Sequence, residues 1–294
     1  MRRFQVPQKL QGILYILLAG VFFATMSLFV RLSGDLPVMQ KAFFRNLVAV
    51  AASIIILART PEKFHIKRSS WPGLFIRSLT GTLGLVCHFY AISKLGLADA
   101  NMLNKMSPFF AMIFSIFLLG EVPSRVDWAA IIAAFLGVLL IIKPTAGIAS
   151  VYGLIGLTGG LGAGIAYTFV RRLGRQGERG PVIVMCFSVF SCLFTLPFMI
   201  AGYQPMSAQQ VTYLMLAGCF ATGGQLCITK AYTKAPAREI SVFDYFQILV
   251  SALLGILVFS EYPDVLSFIG YVVIIGVAVF KWAYHLKHDA HAGA

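Results

Sequence analysis

Runs of about twenty apolar residues recur roughly ten times along this 294-residue chain, separated by short polar breaks. A helix needs about 20 such residues to cross the hydrocarbon core of a bilayer, where the backbone must satisfy its own hydrogen bonds. Ten helices account for most of the length, so the predicted fold class is an all-α membrane protein whose function lies inside the helical bundle. Hydrophobic residues make up 59% of the chain and charged ones 12%, about half the charged share of a soluble domain. The net charge of +13 does not form a nucleic-acid patch, because the Lys and Arg residues sit between the apolar runs. Cys87, Cys186, Cys192, Cys219 and Cys227 fall within those runs without metal-ligand spacing and read as small apolar fillers.

The predicted spans are 11–31, 38–58, 73–93, 98–119, 126–142, 151–170, 181–201, 208–230, 238–259 and 264–284. Gly34 with Pro37, Pro61, Pro72, Gly96, Pro123, Pro144, Gly177, Pro205, Pro236 and Pro263 punctuate the joints. Arg2, Arg3 and Lys9 precede the first run, but no small-residue cleavage site follows a short apolar core, so this run is read as a retained helix. A cytoplasmic N-terminus puts seventeen Lys and Arg in inside segments against four outside, namely Arg31, Lys41, Lys94 and Lys143. The positive-inside rule then places both termini in the cytoplasm and the chain in the cell (inner) membrane as a multi-pass protein.

An internal repeat is legible in the breakers. An offset of 140 residues brings Lys94 onto Lys234, Glu121 onto Glu261 and Pro123 onto Pro263, and an offset of 141 brings Phe29-Val30-Arg31-Leu32 onto Val170-Arg171-Arg172-Leu173. The predicted units are residues 1–145 and 146–294, five helices each. Five is odd, so the second copy enters the membrane from the opposite face, the architecture of transporters that alternate around a midplane site.

The chain resembles the drug/metabolite transporter superfamily of the EamA type. The residues that carry the resemblance are Phe43-Phe44-Arg45, Arg77, Ser107-Pro108-Phe109-Phe110 through Leu119-Gly120-Glu121, Gly137 through Lys143-Pro144, Lys230-Ala231, and Ile256 through Glu261-Tyr262-Pro263. The resemblance covers nearly the whole chain. It implies ten helices and a carrier, in either direction, of cargoes such as amino acids, S-adenosylmethionine, riboflavin or opine-like metallophores. S-adenosylmethionine-type members tend to have a basic residue where this chain has Asp244, followed by the shared Tyr245.

Polar groups within a bilayer are costly unless satisfied, so those inside the runs are the candidate cargo contacts. At about 1.5 Å per residue, Arg45, Asn104 and Lys105 lie roughly 9–11 Å from the outer ends of their helices, with His88 at a similar level. Asp244, Gln225, Tyr167 and Arg77 lie at a comparable distance from the cytoplasmic ends, so the sequence predicts an outer and an inner polar cluster. Asn101 and Asn104 map onto Ser241 and Asp244 through the repeat, each pair three residues apart on one helix face. Pro108 cannot donate to the carbonyl of Asn104, so a kink is expected there.

Asp244 reads in two ways: as a cargo or proton contact, or as the partner of Arg77 in a gate ion pair. Arg45 meets a cargo carboxylate or phosphate, or else bonds helix ends. His88 continues the face of Arg77, Gly81 and Gly84, a small-residue stripe suited to close helix approach. Gly156, Gly160 and Gly164 form a second ridge of that kind. Tyr90, Tyr167, Phe109, Phe243, Tyr245 and Phe246 are candidate aromatic walls.

The function predicted is secondary transport of a small polar or amphipathic metabolite, amino-acid-like or cofactor-like, by alternating access. The alternatives are a non-transporting membrane sensor or assembly protein and an intramembrane enzyme. The enzyme is disfavoured because HExxH and GxSxG are absent and no His and carboxylate cluster within one helix or loop. No nucleotide motif, cofactor or metal site is expected. Beyond the metabolite and the lipid bilayer, protons, a counter-substrate and a second copy of the chain are candidate partners, and nucleic acid is not.

Overall fold

The structure, a computed structural model, describes residues 8–120, 124–142, 148–234 and 242–292. The helices are α1 (Gln8–Leu32), α2 (Val38–Ala58), α3 (Trp71–Lys94), α4 (Leu97–Asn104), α5 (Ser107–Leu119), α6 (Arg125–Ile142), α7 (Ile148–Arg175), α8 (Gly180–Ala201), α9 (Ala208–Lys234), α10 (Phe246–Phe259) and α11 (Val265–Ala292). Among the described residues nine helical segments are long and apolar enough to cross a membrane, and Trp128–Ile141 within α6 is a shorter apolar one. The burial pattern is that of a lipid-facing bundle: Phe117 is 78% and Leu257 71% exposed, whereas Arg45 is 1% and Asp244 0% exposed. Large apolar side chains cover the outward faces of the spans, while Arg45, Arg77, Lys105 and Asp244 within them turn inward.

Most observed boundaries follow the expected spans, the last helix running on to Ala292 instead of 284, and three other differences are informative. Helix α7 runs on to Arg175, past the expected end at 170, because its basic residues are good helix formers and the left-handed Gly177, at φ 73°, comes only later. The fourth span is two helices. Met106 N bonds Leu103 O in a tightened turn, and Pro108 has no N–H to offer Asn104, so α4 ends and α5 restarts, as Pro108 predicts. In the second half, Val242–Asp244 is helical, Tyr245 forms a turn and α10 begins at Phe246. That break has no proline, which is why its sequence concealed it.

Exchanging the halves preserves the packing. Helix α1 packs on α9 as α7 packs on α3, and α2 on α9 as α8 on α3. Helices α2 and α8 pack together, as do α6 and α11. Backbone conformation repeats as well: Gly34 and Gly177 both have φ near 70°, and the caps of α5 and α10, Gly120 and Ser260, are both left-handed.

The glycine ridges set the closest approach. A Cβ on Gly162 would stand 2.7 Å from Thr80 O, and one on Gly160 would stand 2.6 Å from Leu103 O. Helix α7 therefore touches the backbone of α3 with one ridge and the broken turn of α4 with the other, as expected for small-residue packing in a membrane. Gly164 is as tight, 2.5 Å from Phe110 Cβ and 2.8 Å from Ser107 O, whereas Gly276 has nothing within 4 Å. Gly164→Ala is expected to destabilise the fold by about 1–3 kcal/mol through overpacking, with Gly276→Ala near neutral; thermal unfolding in detergent tests the contrast, and equal midpoints would refute this account of the ridge.

Candidate functional site

The ends of the bundle are tied by polar contacts between the halves. At one end Arg31 donates to Ile92 O and, at 2.6 Å, to Leu95 O, and it pairs with Glu261, whose second oxygen accepts the N–H of Leu97 at 3.0 Å. The side chain of Gln40 exchanges two hydrogen bonds with the backbone of Gln204, and Gln210 donates to Ser33 O. At the other end Arg179 pairs with Glu62 at 3.0 Å and donates to Lys63 O and His65 O, while Glu178 accepts the N–H of Lys67.

Between these ends lies a cavity of about 580 Å³, its open mouth included. Phe23 and Met26 of α1, Arg45 of α2, Arg77 and His88 of α3, Asn104 of α4, Lys105 of the break, Tyr167 of α7, Phe187 of α8, Gln225 of α9 and Gln247 of α10 all line it. Both halves of the chain contribute to its lining.

Seven of the expected polar candidates therefore share one chamber: Arg45, Arg77, His88, Asn104, Lys105, Tyr167 and Gln225. The expected outer and inner clusters are a single site, because Arg and Lys side chains several ångströms long close the gap that backbone depth alone predicts. The expected pairing of Arg77 with Asp244 is replaced. Asp244 Oδ1 accepts from Lys105 Nζ at 2.6 Å, both side chains being almost fully buried. Arg77 Nη2 donates instead to Gln225 Oε1 at 3.1 Å, and its guanidinium carbon lies 3.9 Å from the centre of the Phe187 ring. Lys105 sits in the α4–α5 break and Asp244 just before α10, so the two interrupted segments meet through this pair.

The remaining candidates separate. Asn101 is a brace: its Oδ1 accepts from Ser27 Oγ and Gln247 Nε2, and its Nδ2 donates to Leu97 O. Tyr245 lies in the apolar cluster with Met102 and Ile248, away from the chamber lining. Tyr167 stacks on Tyr232 with ring centres 5.4 Å apart. Among the other candidate aromatics, Tyr90 packs on Tyr152 and Phe243 on Trp282, outside the lining. Ser241 lies outside the described residues.

Asn46, Phe187 and Gln247 were not singled out from sequence. Asn46 accepts from Arg45 and donates to Ser191 Oγ at 2.7 Å. Asn46 and Gln247 are polar residues inside apolar runs, and the criterion that selects Gln225 selects them too. Phe187 carries no such mark among 25 phenylalanines.

The model of the EamA-like transporter family matches residues 10–143 and again 151–281. The chain belongs to the EamA-like transporter family. Within this family it is 34% identical over 268 residues to the pseudopaline exporter CntI of Pseudomonas aeruginosa, covering 90% of this chain and 93% of that one. It is 24% identical to human solute carrier family 35 member G1, over 92% of this chain and 80% of that protein. A riboflavin transporter of Vibrio cholerae is 23% identical over 95% of each chain. A solved crystal structure with 18% identity matches with a TM-score of 0.68 over 95% of this chain and 98% of that one, a likeness of fold. This EamA-like protein is thus a multi-pass membrane transporter.

The buried pair carries a stability prediction. Asp244→Asn strands the Lys105 ammonium and is expected to cost about 3 kcal/mol, while Lys105→Met with Asp244→Asn recovers most of it. Unfolding midpoints of the two variants in detergent decide, and a wild-type midpoint for Asp244→Asn alone would contradict the pairing.

Proposed function

We propose that this transporter exports a small polar metabolite from the cell by alternating access, its halves 1–145 and 146–294 acting as inverted five-helix repeats around the central chamber. The observation that carries the reading is the chamber itself, walled by eight helices of both halves and lined by polar and charged side chains inside the bundle. The repeat reading is supported by the two successive family matches, the exchangeable helix contacts and the paired left-handed caps. Export is supported by the relative at 34% identity, a pseudopaline exporter. The excess of basic residues in one set of segments supports cytoplasmic termini in the cell (inner) membrane.

In this mechanism the cargo enters the chamber from one face, and the polar ties at that face form around the occupied site. The ties at the opposite face, such as Arg31 with Glu261 and Leu97 or Arg179 with Glu62, then separate in turn. Movement is a rocking of one half against the other about the site. Lys105 and Asp244 hold the interrupted segments together at the pivot. Catalysis is not part of the reading, since the matched family and the relatives are transporters.

Proteoliposomes containing only this protein, loaded with amino acids, dicarboxylates, polyamines, riboflavin and sugar phosphates, provide the test. Saturable, protein-dependent release of at least one of these compounds, read by mass spectrometry, is expected. Release no faster than from empty liposomes, with folded protein, would reject transport.

A further inference from the structure

The deepest charges in the bundle do not cancel. Arg45 and Arg77 are 1% and 2% exposed, and both line the chamber. Lys105 has Asp244 as its counter-charge, but among the described residues neither arginine is paired with a carboxylate. Two guanidinium charges are therefore left in excess inside a membrane protein.

Other arginines of the same chain show what structural use looks like. Arg31 bonds two helix-end carbonyls and a carboxylate, and Arg179 two loop carbonyls and a carboxylate. Arg45 and Arg77 are used differently. Arg45 Nη1 meets Asn46 and Arg77 Nη2 meets Gln225, while Arg45 Nε, Arg77 Nε and Arg77 Nη1 have no acceptor among the described residues. Both guanidinium groups lie against the Phe187 ring, at 3.9 Å for Arg77 and 5.7 Å for Arg45. A ring face attracts a cation and holds it in place, yet offers no lone pair to its N–H groups. The arginines are thus positioned but not satisfied, which is the condition of a site awaiting an anion.

A third orphan group describes the rest of the ligand. Asn101 Nδ2 donates to Leu97 O, which fixes Asn101 Oδ1 as the acceptor and so orients Gln247 with Nε2 toward it. Gln247 Oε1 is left buried without a donor among the described residues, on a residue that lines the chamber. It suits a ligand N–H.

We propose that the chamber recognises a cargo with two anionic groups and an N–H, the anions taking the free donors of Arg45 and Arg77 and the N–H facing Gln247. This assignment rests on the transport reading and names its substrate class. Two carboxylates and one phosphate share this chemistry, and the test separates them.

The purified full chain in detergent is unfolded thermally at fixed ionic strength with L-glutamate, glutarate, glucose 6-phosphate, L-alanine, putrescine or riboflavin. L-Glutamate and glutarate are expected to raise the midpoint by several degrees in a saturable manner, L-glutamate more. L-Alanine, putrescine and riboflavin are expected to leave it unchanged. The shift should vanish in Arg45→Gln and Arg77→Gln and persist in Arg59→Gln, an exposed arginine. Should either Gln variant fail to fold, Arg77→Lys is expected to weaken the ligand at least tenfold, since it keeps the charge but loses the planar fork.

A shift from glucose 6-phosphate alone would keep the arginine site and overturn the two-carboxylate, N–H form of the ligand. The proposal is overturned if none of the anions shifts the midpoint, if the neutral or cationic compounds do so instead, or if the response survives loss of both arginines. Release of a neutral or cationic compound from proteoliposomes would overturn this inference and leave the transport reading standing, whereas anion binding without release of any compound would do the reverse.

Discussion

One contact, 2.6 Å between Lys105 and Asp244, organises the middle of this protein. Each partner lies where a membrane helix is interrupted, and an interrupted helix leaves backbone groups that lipid cannot satisfy. Such breaks are tolerated only where protein or a cavity receives them. Here the α4 break is received by Gly160 of α7, which lets the carbonyls of Leu103 and Asn104 approach a bare backbone. The ion pair joins that break to its counterpart before α10. The chamber opens beside it.

From this arrangement the division of labour among the polar residues follows. Asn101, bonded through both ends of its amide, joins α1, α4 and α10. The terminal networks of Arg31 and Arg179 close the bundle at its two ends. What is left over in the centre, two arginines against one phenylalanine ring and an amide oxygen with no donor among the described residues, lines the chamber.

Much of this was legible in the sequence. Apolar runs of bilayer length locate the helices because the hydrocarbon thickness imposes their period, and Pro108 announces the α4 break because a missing N–H has a fixed consequence. Arg45, Arg77, His88, Asn104, Lys105, Tyr167 and Gln225, which line the chamber, could be named from sequence because polarity inside a bilayer has few uses. Pairing was not legible. Depth estimated from helix rise placed Arg77 level with Asp244, but side-chain reach and helix rotation gave Asp244 to Lys105 and Arg77 to Gln225. Helix rotation, equally invisible in sequence, leaves Asn101 and Tyr245 outside the chamber lining. Phe187 was invisible because its role depends on which of many similar rings stands between two arginines.

The central claim is that the halves separate alternately around the chamber, and the contact between Gln40 and Gln204 tests it most directly because it ties the halves at one end. In a background lacking the native cysteines, Gln40→Cys with Gln204→Cys is reconstituted and release of the loaded cargo is measured under oxidation and then under reduction. The account predicts that the disulfide stops release and that reductant restores it in the same vesicles. Undiminished release from fully cross-linked protein would contradict alternating opening at this end.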